Sequence, residues 1–204
     1  MAFVYFFRSG ERDAFKIGKT GVKVFDRKKA LGTGNPDRLS EFAVIEMPMG
    51  DHTRCESFLH GLWGHRRIFE SDGTEWYRLT VSEAEEAIES AQRYLEVDVP
   101  RLKEAERLNK FDSESGILQP SDDEWQVYQQ ILERSQEKYV ANLELERLQT
   151  RLKLLIGTSS GLDGIATWKT RRKRTLHQPS FKADHPALFE RYLRPSQDRP
   201  FKIR

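Results

Sequence analysis

The sequence predicts a mixed α/β domain over residues 1–80 followed by a mainly helical region. Three observations carry this reading. Short apolar runs alternate with Gly-, Asp- and Asn-containing turns up to Leu79. From Ser82 onward the apolar positions recur instead at steps of three and four. The 204 residues, 37% hydrophobic and 32% charged, suffice for one medium domain or two small ones and are too apolar to be disordered throughout.

FVYFF (3–7) and FKIG (15–18) are strand-like and joined by the polar turn RSGERD, with Gly18 punctuating the second. VKVFDRKKAL (22–31) has helical composition, and GTGNPD (32–37) reads as a loop. FAVIEM (42–47) is a third strand. HTRCESFLHGLW (52–63) is a helix whose Cys55, Phe58, Leu59, Leu62 and Trp63 share one face. TEWYRL (74–79) is a fourth strand, with Glu75 and Trp76 closing the sheet. Ser82 and Glu85 have capping-box spacing for a helix running to about Glu96, and Pro100 interrupts it before a short helix at 101–111. DSESG (112–116) reads as a linker. Ser121 and Glu124 repeat the capping-box spacing and open a long helix to Ile156, with Gly157 as its stop. Its stripe of Trp125, Tyr128, Leu132, Ser135 and Tyr139, then Leu145, Leu148, Leu152 and Leu155, is long enough to pack on a partner helix, within the chain or in a homodimer through 121–156. The organisation expected is therefore a domain at 1–80, a helical connector at 81–120, a long helix at 121–157 and a basic module at 158–204.

The net charge of +2 hides a strong asymmetry. Residues 1–80 carry 13 basic against 11 acidic side chains, 81–165 carry 10 against 18, and 166–204 carry 11 against 3. The last segment pairs Trp168 with Lys169, Arg171, Arg172, Lys173 and Arg174, a stacking surface beside a dense cationic run that suits single-stranded or frayed nucleic acid. Folding back onto the acidic middle is the competing use of the same charges. The one cysteine, Cys55, excludes an internal disulfide and a cysteine zinc cluster, and it reads as a small core residue. With no long apolar run and no cleavable leader pattern, a cytoplasmic protein without a membrane partner is expected. His52 and His65 read as surface residues.

On residue type alone Tyr5 reads as core, Arg27 as a solvated helix face and Glu56 as an exposed helix residue. Their order and spacing change that reading. Phe3-Val4-Tyr5, then Lys16-Ile17-Gly18, Arg27 on the next helix and Glu56 on the one after resemble the GIY-YIG nuclease superfamily. FKIGKTG, LGTGNPDRL, the pairing of Glu56 with His60, and EWYRL resemble its phage-associated, DNA-binding subgroup, over residues 3–79. The resemblance implies a small antiparallel sheet flanked by helices and a metal-dependent DNA endonuclease. It assigns Glu56 to the metal (Mg2+ or Mn2+), Tyr5 to water activation and Arg27 to the scissile phosphate. Lys16 stands where the family has its second tyrosine, as a phosphate contact or a group that depresses the pKa of Tyr5. Lys19 is a further phosphate contact, and His60, one turn after Glu56, has an acid–base or phosphate role. Segments 151–157, 159–169, 185–192 and 199–204 resemble the tail of YqaJ-like viral recombinases, which implies a DNA-related or partner-docking module in a phage or prophage setting. Two other functions fit the same residues: a DNA-binding protein that keeps the fold without the chemistry, and an interaction protein that dimerises and recruits a recombination partner.

Overall fold

The computed structural model describes residues 1–10, 12–33, 37–69, 75–113, 116–194 and 200–203. Positions 34–36 of the first loop, Thr74 before the last strand, 114–115 of the linker, and Arg199 and Arg204 at the C-terminus lie outside the described residues. The chain forms two compact units, Met1–Asp112 with Asp198–Arg204, and Ser113–Gln197.

The first unit is built on a four-stranded antiparallel sheet. Strands β1 (Ala2–Ser9), β2 (Ala14–Thr20), β3 (Leu39–Met47) and β4 (Trp76–Arg78) lie in the order β3-β1-β2-β4. β1 and β2 are the inner strands, and β1 carries large apolar residues on both faces. Val4 and Phe6 join Phe15 and Ile17 of β2 in the core, against Cys55 and Leu59 of helix α2 (Asp51–Leu62) and Ala84, Ala87 and Ala91 of helix α3 (Val81–Arg93). Tyr5 and Phe7 face the other way, toward the side occupied by helix α1 (Val24–Gly32), and stack on each other at 4.3 Å. This is the α/β architecture expected. Leu62 departs from the shared face of α2: it is 45% exposed, whereas Cys55 and Leu59 are fully buried.

Two helix boundaries differ from expectation. α3 is capped by Thr80, not Ser82. The Glu83 N–H donates to the Thr80 hydroxyl at 3.2 Å, and the Thr80 N–H donates to the Glu83 carboxylate at 2.8 Å. That bond, first among several contacts, holds the Glu83 carboxyl below its usual range. Nor does Pro100 break the helical path. A π turn (Tyr94–Asp98) leads from α3 into helix α4 (Val99–Leu108), and the Val99 N–H donates to the Tyr94 carbonyl five residues back. Pro100 then sits in the first turn of α4, directly after the wide turn.

In the second unit, Ser121 and Glu124 form the expected capping box on helix α5 (Asp122–Ile156). Its 35 residues span about 52 Å. A two-stranded ribbon, β5 (Gly161–Leu162) with β6 (Ala166–Thr167), and helices α6 (Gln178–Asp184) and α7 (Pro186–Tyr192) follow. Among the described residues no helix is long and apolar enough to cross a membrane.

Because the cap belongs to Thr80, Thr80→Ala lowers unfolding stability by about 1 kcal/mol in urea denaturation. Ser82→Ala, an exposed substitution inside the first turn, changes it by less than about 0.5 kcal/mol.

Candidate active site

The site begins with a strand pair. Tyr5 and Gly18 stand opposite each other in the β1–β2 register, and the phenol lies across the glycine. A Cβ at position 18 would sit 2.5 Å from Tyr5 Oη and 2.7 Å from Cζ, so only glycine fits beneath this ring. Arg27, on α1, donates from Nε to Tyr5 Oη at 3.2 Å. Its remaining N–H groups have no partner among the described residues. Tyr5 is fully buried, and that burial raises its pKa. The Arg27 hydrogen bond and charge oppose the rise, while the charges of Glu75 and Glu56 add to it.

A second pair forms from the helix on the core side. Glu56 lies on the inner face of α2, and Lys19 Nζ donates to its Oε2 at 2.5 Å. Oε1 has no partner among the described residues. Beside it, burial, with some help from the Glu56 charge, pushes the Cys55 thiol up to about 12, which leaves it un-ionised and unreactive.

Both pairs involve residues of β2 beyond the stretch that β4 covers, and the Glu56 charge acts on Tyr5. β4 covers β2 only from Ala14 to Lys16. The next outward-facing backbone groups belong to Ile17, whose N–H donates to the Glu75 carbonyl at 3.2 Å and whose carbonyl accepts from His60 Nε2 at 3.0 Å. A carbonyl can only accept, so this contact assigns the His60 proton to Nε2. The His60 ring also lies 5.5 Å from that of Tyr77. Beyond His60 the edge of Gly18–Thr20 has no neighbouring strand among the described residues.

Lys16 occupies a different place. Its buried ammonium lies 3.4 Å from Glu75 and 5.6 Å above the Trp76 ring. The cation that lowers the Tyr5 pKa is therefore Arg27, and Lys16 serves Glu75. Glu75 is the residue sequence reasoning missed: it holds Lys16 and acts on Tyr5, and only the pairing of Lys16 with Trp76 across β2 and β4 brings it there. Tyr77, also unflagged, is buried beneath His60, and burial pushes its phenol up to about 12.

In the second unit, Trp168 is half-exposed, its N–H held by the Ser160 carbonyl at 2.8 Å. Lys169, Arg171, Arg172, Lys173 and Arg174 follow, all exposed and outside any helix or strand.

Among the described residues no group of three His, Cys, Asp or Glu side chains converges as a metal cage. Glu56 Oε1, which has no partner among the described residues, is one oxygen of the kind a hard divalent cation takes.

Residues 2–92 match the T5orf172 domain, a phage-associated, GIY-YIG/HNH-like nuclease-type domain. The match spans β1 to within α3 and so contains Tyr5, Gly18, Arg27 and Glu56, but not Trp168 or the basic run after it. No curated protein and no solved structure matches the chain.

Gly18→Ala forces the Tyr5 ring off the strand and lowers stability by about 1–3 kcal/mol. Gly61→Ala, in α2 with open space around the new methyl, raises it by about 0.5–1 kcal/mol. Thermal unfolding of the two variants reads both.

Proposed function

We propose that this T5orf172 domain is a metal-dependent DNA endonuclease, hydrolysing phosphodiester bonds in phage or prophage DNA metabolism. The observation that carries the reading is the Arg27–Tyr5 contact over Gly18. It fixes a phenol oxygen beside a guanidinium whose other N–H groups have no partner among the described residues and suit a phosphate. Tyr5, as its phenolate, takes the proton of the attacking water, and Arg27 neutralises charge on the phosphoryl oxygens as the new P–O bond forms and the bond to the leaving sugar oxygen breaks, that oxygen taking a proton from solvent. Glu56 is the ligand for Mg2+ or Mn2+, which supplies Lewis acidity at the phosphate. Lys19, already beside Glu56, adds a cation at the same place. The exposed Trp168 and the Lys169–Arg174 run give the chain a second cationic surface for DNA.

A second reading keeps the fold and DNA binding without cleavage. It is favoured by Lys16, which is engaged with Glu75 where the family places its second tyrosine. A third rests on α5, where Trp125, Tyr139, Leu145 and Leu155 are all at least half exposed. Exposed apolar side chains of this kind suit a homodimer or a recombination partner.

Glu56→Ala abolishes cutting of labelled DNA in Mg2+ or Mn2+ while leaving DNA binding in place. Equal cutting by both proteins would remove the hydrolase reading. Because burial raises the Tyr5 pKa, the phenolate is a small minority at neutral pH. The cleavage rate accordingly climbs roughly tenfold per pH unit from about pH 7 to pH 9. A flat profile over that range would remove Tyr5 as the base.

A further inference from the structure

A cavity of about 240 Å³ lies on the far side of β4, lined by His65, Arg66, Arg67, Ile68, Phe69 and Arg78. The chain leaves α2 through a 3-10 turn (Gly64–Arg66) and runs along the outer edge of β4. There Arg67 bridges Tyr77, and the Ile68 N–H donates to the Trp76 carbonyl at 2.8 Å. This course places three guanidinium groups around one opening. Arg66 is paired with Glu83, whereas Arg67 and Arg78 have no acidic partner among the described residues. Arg67 instead lies 5.9 Å from the centre of the Phe69 ring, and Phe69 is 79% exposed. A large aromatic held outward beside a cation is costly in water and unexplained by packing, since neither side chain belongs to the core.

We propose that this cavity binds a nucleic-acid strand, with Arg67 and Arg78 on a phosphate and an unpaired base stacked on Phe69. Guanidinium forks suit phosphate oxygens, and a base offers a flat face to an aromatic already flanked by a cation. The proposal rests on the nucleic-acid reading above and adds to it a preference for single-stranded or frayed substrate. The cavity adjoins the active site through Tyr77, which touches Arg67 in the ladder and His60 by its ring. A strand held here is thus tethered next to the open edge of β2.

The test measures binding of the full chain to a labelled single-stranded oligonucleotide and to a hairpin duplex across a salt series. Phe69→Ala weakens single-strand binding about tenfold and leaves duplex binding unchanged. Arg67→Ala with Arg78→Ala weakens both and reduces the slope of log affinity against log salt by about 1–2. All three side chains lie outside the core, so thermal midpoints stay close to that of the unaltered protein. An iodouracil-substituted strand crosslinks to Phe69 under ultraviolet light. Equal loss on both substrates in Phe69→Ala, or no loss and no crosslink, would overturn the proposal. If the unaltered protein cuts DNA in a Glu56-dependent way while these variants bind normally, the cavity proposal fails alone. If it binds no nucleic acid, both readings fail.

Discussion

The Tyr5 ring lying on Gly18 is the constraint from which the rest of the site follows. It requires the β1–β2 register, since a slip of one residue would set Ile17 or Lys19 opposite Tyr5, with a side chain where no atom fits. The same register sends Val4 and Phe6 to one face and Tyr5 and Phe7 to the other. Core formation and placement of the phenol are therefore one event. With the ring flat on the strand, its oxygen comes within reach of α1, and Arg27 holds it there.

Charge is arranged around that ring in matched pairs. Lys16 and Lys19 belong to the same strand and each neutralises one carboxylate, Glu75 and Glu56 respectively. Removing Glu75 would leave the buried Lys16 ammonium without its counter-charge. The short β4 strand matters equally. Its register ends opposite Lys16, and among the described residues no other strand lies along the outer edge of Gly18–Thr20.

Much of this was legible in the sequence because it is local. The strands are bounded by turn residues, and the order of Tyr5, Gly18, Arg27 and Glu56 is a matter of spacing. What was not legible depends on competition or on distant pairing. TVSE and SEAE, starting at Thr80 and Ser82, have the same capping-box grammar, and only the end of β4 decides that Thr80 comes first. Leu62 has helical spacing but lies where α2 emerges from the core. Glu75 has no signal of its own, since its importance comes entirely from the strand it lands beside. The basic run from Lys169 is obvious in composition, yet composition does not say that it adopts neither helix nor strand.

The π turn before Pro100 changes how the helical arm is counted. Ala91 and Val99 are both buried, and in a regular helix the step between them would overshoot two turns by about 80°. The wide turn at Tyr94–Asp98 absorbs that excess and brings Val99 back into phase with Ala91. The segment behaves as an inserted beat that the helix takes up without losing its rhythm. Everything after it, including Arg107 and its partner Glu104, is indexed from Val99 and not from the Thr80 cap. An arm divided in this way can gain or lose a residue on one side of the turn while the face presented on the other side keeps its aim.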